Sequence, residues 1–221
     1  NEKSLKNKIE GDFYLSKHKS EDTLKNSTSG GAFTAISDVF LKEGGIICGV
    51  DFDDNFCVVH EMAETKEGRD RFRFSKYVQS RLGDIFPKIK EKLAEGRKVL
   101  FSGTPCQCAG LKAFIGNTPL RENLYICDLI CHSVTSPFIW EELKKVLEKE
   151  NGGTIDEVHF RTKKLDWNRT NSNKSFHFST TAMNEVQGDE RFYKMFFGLL
   201  SISRPSCSAL EICQRRIIQT D

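Results

Sequence analysis

The sequence predicts an α/β (α+β) fold: a single domain with a mixed sheet, its parallel βα units flanked by helices. Three observations point there. The short apolar run Val99-Leu100-Phe101 feeds a helical pattern over 107–114. A second run over 124–130 feeds another over 138–150. Each such β–α step favours parallel strand neighbours. The third observation is the stretch 46–60, which reads as two strands about Asp53-Asp54-Asn55, a hairpin that makes the sheet mixed.

The elements follow in chain order. Over 29–42, Phe33, Ile36, Val39 and Phe40 fall on one helical face, with a stop at Gly44-Gly45. The run 46–50 is a strand and 56–60 its return. Leu82, Ile85, Phe86, Ile89 and Leu93 stand at helical spacing over 82–94, ending at Gly96. Pro137 sits at a first helical position, and Asn151-Gly152-Gly153 closes that helix. Further strands are expected over 157–161 and 175–181, a polar loop over 162–174, and an aromatic-rich helix over 190–200.

A chain of 221 residues can bury a sizeable core without staples, and 29% charged with 38% hydrophobic residues excludes a disordered or fibrous protein. Lys+Arg 33 against Asp+Glu 31 gives a net charge of +2, which argues against a general nucleic-acid binder. No stretch approaches the roughly 18–20 apolar residues of a membrane span. The polar first residues show no signal peptide, so a cytoplasmic protein is expected, and a start without Met suggests a piece of a longer chain. In that setting the eight cysteines read as free thiols or metal ligands.

Five segments carry chemistry. Ser27-Thr28-Ser29-Gly30-Gly31 precedes a helix and offers hydroxyls and N–H groups to a phosphate, or serves as an ordinary N-cap. Ser102-Gly103-Thr104-Pro105-Cys106 lies at the carboxyl end of a buried strand, where open α/β sheets bind ligands. Its other reading is a structural turn with a buried thiol. Cys127-Asp128-Leu129-Ile130-Cys131-His132 ends the next strand; Cys127 shares a face with Leu129 and is expected in the core, while Cys131 emerges beside Cys106 if the strands are neighbours. Arg204-Pro205-Ser206-Cys207, with Cys213 six residues on, would complete four soft ligands, suited to zinc or an iron–sulfur cluster. Finally, Arg73-Phe74-Ser75-Lys76-Tyr77-Val78-Gln79-Ser80 interleaves cations, hydroxyls and aromatics, fit for a phosphate and a planar ring or for plain solvation.

Taken in this order, the segments resemble the coenzyme F420 hydrogenase/dehydrogenase beta-subunit family over roughly 14–207. The resemblance implies a flavin-dependent oxidoreductase subunit that passes electrons between an iron–sulfur cluster or ferredoxin and an organic two-electron partner, such as a deazaflavin of the coenzyme F420 type. It implies FAD held by Ser29, Gly30 and Gly31, by Lys76, Gln79 and Ser80, and by Ser102, Gly103, Thr104 and Pro105. Asp128 would bond a polar edge of the cofactor, and Lys76 would stabilise phosphate or reduced-flavin charge. It also implies a [4Fe–4S] cluster on Cys106, Cys131 and Cys207. The family's next cysteine falls here at Leu210, leaving Cys213 as the candidate fourth ligand.

Many members carry a ferredoxin-like module ahead of this domain. The expected division is therefore a lead-in over 1–26, an FAD-binding oxidoreductase domain over 27–203, and a short cysteine-bearing segment over 204–221. Electrons would arrive from a ferredoxin or ferredoxin-like module. The alternatives are a degenerate relative that keeps the fold without catalysis, and an unrelated α/β protein with structural zinc.

Overall fold

The structure is a computed structural model, and it describes residues 14–131, 133–161, 176–198 and 202–207. Elements run α1 (Glu21–Lys25), α2 (Ala32–Lys42), β1 (Ile46–Phe52), β2 (Val58–Ala63), α3 (Lys66–Asp70), α4 (Ile85–Ala94) and β3 (Val99–Gly103). They continue with α5 (Pro105–Ile115), β4 (Leu124–Asp128), α6 (Pro137–Asn151), β5 (Ile155–His159), β6 (Phe176–Thr180), β7 (Gln187–Asp189) and α7 (Arg191–Tyr193).

Two sheets organise these elements. The first has the order β2-β1-β3-β4; β1 pairs β2 antiparallel, while β1–β3 and β3–β4 are parallel. This is the mixed sheet with parallel βα units that the sequence predicts. On one face Ile46, Val99 and Phe101 pack with Ile85, Ile89 and Leu93 of α4 and Leu111 and Ile115 of α5. On the other, Ile47 and Leu100 meet Phe72, with Phe33, Phe40 and Leu41 of α2 against them. Near-continuous apolar strands such as Val99-Leu100-Phe101 are what burial on both faces requires.

The second sheet, β5-β6-β7, is antiparallel and holds the strands expected near 157–161 and 175–181. It packs on α6 through an aromatic cluster: Trp140, Phe160, Phe176, Phe192 and Phe196 are each at most 1% exposed. The Trp140 indole N–H donates to the Phe56 carbonyl at 2.7 Å, tying this cluster to the β1–β2 turn.

Strand ends shift by a few residues, and two helices differ from the expectation. The helix read over 29–42 starts at Ala32, because Gly31 holds a left-handed backbone (φ 78°) as its N-cap. Its face also differs. Ile36 and Val39 are 42% and 56% exposed, whereas Thr34 and Ser37 are buried. The reason is Arg69 of α3, itself 1% exposed, which donates to the Thr34 carbonyl, the Ser37 hydroxyl and Asp38. A buried guanidinium needs polar groups opposite it, so the helix turns those inward. The expected 190–200 helix is α7 followed by a π-turn over Lys194–Gly198. The loop 162–174, His132 and Cys213 lie outside the described residues.

Candidate functional site

The register of β3 with β4 sets Ser102 opposite Cys127 and Gly103 opposite Asp128. The two strands therefore end together, and the turns that leave them meet the N-terminus of α2. Between them lies a cavity of about 820 Å³. That is near the upper end of volumes usual for cofactor sites. Its wall draws on residues from Ser27 to Cys207, and all five chemistry-bearing segments contribute.

The α2 end of the cavity is built for negative charge. Gly31 caps the helix without any side-chain hydrogen bond, so the first-turn N–H groups of α2 have no side-chain cap from it. Gly31, Ala32, Phe33 and Thr34 all line the cavity there. Beside them Thr28 Oγ1 is buried without a hydrogen-bond partner among the described residues. Arg73 reaches the same turn, its Nε donating to Thr34 Oγ1 at 3.3 Å and its Nη2 pairing with Asp70 at 2.8 Å.

The β3–α5 turn lines the cavity as well. Thr104 caps α5, and its backbone N–H donates to Gln107 Oε1 at 3.1 Å while the Thr104 hydroxyl donates to the same oxygen at 3.0 Å. Gln107 Nε2 then donates to Ser80 Oγ at 2.8 Å, which fastens this turn to the 77–81 segment. That segment is held in turn by Gln79 N–H to the Thr135 carbonyl (2.9 Å) and Thr135 N–H to the Tyr77 carbonyl (3.0 Å). Behind the turn, His60 stacks on Phe101 with ring centroids 5.1 Å apart. Its Nε2 lies 3.3 Å from the Ser102 carbonyl, so this nitrogen carries the proton. Burial pushes the His60 pKa down to about 4, which keeps the ring neutral.

Of the predicted ligands, Cys106, Cys131 and Cys207 all line the cavity. The neighbouring strands β3 and β4 bring the first two to the same sheet end, as the sequence anticipates. Cys207 arrives on the single turn Pro205–Cys207, docked by Arg204 N–H to the Val134 carbonyl at 2.8 Å. Cys106 Sγ contacts Thr104 Oγ1 at 3.2 Å and Arg204 Nη2 at 3.9 Å. Among the described residues, no three Cys, His, Asp or Glu side chains come close enough to hold a single metal ion.

Of the residues the sequence singles out, Ser29, Gly31, Lys76, Gln79, Ser80, Ser102, Gly103, Thr104 and Pro105 line the cavity with the three cysteines. Three readings need correction. Gly30 is not on the wall; its carbonyl accepts the His18 N–H at 2.8 Å, and an added Cβ would stand 2.4 Å from the Ser16 carbonyl oxygen, so it is a packing glycine. Asp128 is not on the wall either. Its charge acts on Cys108 and Cys127, where burial first and this carboxylate second raise both thiol pKa values, that of Cys108 to about 12. Lys76 lines the cavity, but its ammonium donates to the carbonyls of Val50 (2.8 Å), Arg71 (2.9 Å) and Arg73 (3.0 Å). All three of its hydrogens are used, so it shapes the 71–76 loop and has none left for a ligand. Burial lowers its pKa to about 8, which leaves it mostly protonated at neutral pH.

The sequence reading also misses some of the wall. Cys127, expected in the core, does pack against the Ile47 and Leu100 cluster, and because β4 is only partly buried it also lines the cavity. Arg161 and Arg204 line it as well. Arg204 stands inside a motif the sequence exposes, though without an assigned role; Arg161, an isolated cation at a strand end, gives no signal.

The fold is an α/β domain with a mixed sheet, and the cavity lies at the carboxyl ends of its parallel strands. Residues 96–216, more than half of the chain, match the family described as the C terminus of the coenzyme F420 hydrogenase/dehydrogenase beta subunit, and the chain belongs to that family. Among solved structures it is similar to a chain of the xenon-derivatised F420-reducing [NiFe] hydrogenase complex from Methanosarcina barkeri. The TM-score is 0.55 at 19% identity, and the match covers 88% of this chain and 65% of that one. The chain thus spans about two thirds of that neighbour, and the likeness is one of fold. No curated protein matches it.

Proposed function

We propose that this chain is the flavin-binding part of an oxidoreductase subunit, passing electrons between an iron–sulfur centre and an organic two-electron partner of the deazaflavin class. One observation carries the reading: segments spread from Ser27 to Cys207 converge on a single cavity lined both by the uncapped N-terminus of α2 and by Cys106, Cys131 and Cys207. The family supplies the redox context. The domain would comprise 27–207 rather than end at 203, since the 204–207 turn hydrogen-bonds into the cavity wall.

The residues present fit FAD. The volume of about 820 Å³ accommodates a dinucleotide-sized ligand, and the unpartnered Thr28 hydroxyl, the first turn of α2 and Arg73 suit its pyrophosphate. FAD, when bound, supplies the exchange between one- and two-electron transfer. The chain itself performs the binding. Gly31 and Thr28 present N–H and O–H donors, Arg73 balances phosphate charge, and the Ser102–Thr104 turn, steadied by His60 and Gln107, lines the same cavity. Val50, Phe72 and Phe74 give that space part of an apolar lining.

The donor set also fits a [4Fe–4S] cluster, which takes four thiolates on four separate irons and so needs spaced rather than clustered sulfurs. Cys106, Cys131 and Cys207 would hold three of them, and Cys213 remains the proposed fourth. Structural zinc would need its ligands gathered on one ion, an arrangement absent among the described residues. A ferredoxin-like module would deliver the electrons. Among the described residues, no helix is long and apolar enough to cross a membrane.

The test is the flavin, iron and acid-labile sulfide content of anaerobically purified protein. Near-stoichiometric FAD with about four irons per chain is the expected result. A colourless protein that neither retains nor takes up FAD would overturn the reading.

A further inference from the structure

We propose that Arg204 tunes the sulfur side of the cavity: its guanidinium supplies N–H donors and positive charge to the Cys106 and Cys207 sulfurs, and so holds the potential of the iron–sulfur centre up. This rests on the reading that those cysteines ligate a cluster.

The argument begins with the backbone. Arg204 N–H donates to the Val134 carbonyl at 2.8 Å, and its own carbonyl accepts the Cys207 N–H at 2.9 Å. Next to it, the Ser203 and Ser133 hydroxyls lie 2.9 Å apart. The turn is therefore pinned, and the side chain is directed between two thiols by the chain rather than by solvent. Nη2 stands 3.9 Å from Cys106 Sγ. Cys207, on the same turn, is the guanidinium's other sulfur neighbour.

Two further facts make this cation more than a space filler. Its Nε is buried and lacks a hydrogen-bond partner among the described residues, which is costly unless an acceptor joins it. Meanwhile the other polar neighbour of Cys106, the Thr104 hydroxyl, has a single hydrogen and directs it to Gln107 Oε1 at 3.0 Å. Among the described residues, Arg204 is thus the side chain that offers Cys106 an N–H donor. Hydrogen bonds to ligating sulfurs withdraw electron density and favour the reduced, more negative state, and a nearby cation acts in the same direction.

The experiment is a dye-mediated anaerobic redox titration, followed by electron paramagnetic resonance, on wild-type protein and on Arg204→Met and Arg204→Lys, with iron counted in each. The expected result is unchanged iron, a midpoint shifted to lower potential in Arg204→Met, and an intermediate value in Arg204→Lys, which keeps the charge but not the planar fork. Wild-type midpoints in both variants, with iron retained, would overturn this inference alone. Should Arg204→Met lose its iron, Arg204→Lys decides: a lowered midpoint supports tuning, and an unchanged one reduces Arg204 to a structural prop. A wild-type protein that carries FAD but cannot be given a cluster removes the cluster assignment, and the tuning role with it.

Discussion

The aromatic half and the cavity half of this chain are held together by different physics. Around α6 and the second sheet, Trp140, Phe160, Phe176, Phe192 and Phe196 exclude water and pack at centroid distances such as 4.8 Å for the tilted pair Phe160–Phe192. Around the cavity the fixed points are polar: Arg69 under α2, Lys76 inside its loop, Gln107 against Ser80, and His60 against Ser102. Hydrophobic contact is non-directional and tolerates small shifts, whereas hydrogen bonds specify position. The half that lines the cavity thus adds buried polar contacts to its apolar packing, as a wall holding fixed positions requires.

That contrast can be broken in order of expected effect. Trp140→Ala empties the centre of the aromatic cluster and should cost about 3–5 kcal/mol in denaturant unfolding. Its effect belongs in global stability, so FAD affinity should be unchanged wherever the variant remains folded. Arg69→Met leaves Asp38, Ser37 and the Thr34 carbonyl facing an apolar chain, and a loss of about 3 kcal/mol is expected. Because α2 carries the anion-receptive end, this variant should also bind FAD more weakly, which would join the two halves in one substitution.

His60 gives a pH signature. Its folded pKa of about 4 lies below the ordinary value of 6.5, so the unfolded chain binds the proton more readily between those values. Stability from the neutral ring is present above pH 6.5 and is lost progressively as pH falls to 4, by on the order of 3 kcal/mol. Unfolding measured across that window should fall more steeply for wild type than for His60→Phe; parallel curves would remove His60 from the account. Lys76→Met should leave the aromatic half intact and weaken FAD retention roughly tenfold, about 1.4 kcal/mol, by releasing the loop that carries Arg73. Equal affinities in fluorescence titrations would show that the loop holds without its ammonium. Smallest of all, Ser80→Ala removes one hydrogen bond and should cost about 1 kcal/mol.

The sequence makes much of this architecture legible, and for physical reasons. Val99-Leu100-Phe101 and the periodic Leu82–Leu93 pattern announce a buried strand and an amphipathic helix, because burial on both sides or on one leaves that imprint. The five segments could be grouped as one site only through their order along the chain, and their meeting at one cavity agrees with that grouping. What stayed hidden depends on partners remote in sequence. The inward turn of Thr34 and Ser37 is set by Arg69, some 30 residues on, and the role of Lys76 by carbonyls that carry no side-chain signature. Gly30 and Gly31 look equivalent as letters; only the backbone shows that one packs against Ser16 and the other caps a helix.

A cavity walled by residues as distant as Ser27 and Cys207 also constrains how the protein acquires its ligand. Bringing such remote stretches together means closing long loops before any of their contacts contribute, so the binding competence of a nascent chain must come late in folding. No short peptide excised from it would retain a measurable share of the affinity. Conversely, a saturating ligand tightens the whole polypeptide against unfolding by RT ln(1 + [L]/Kd), rather than any one loop.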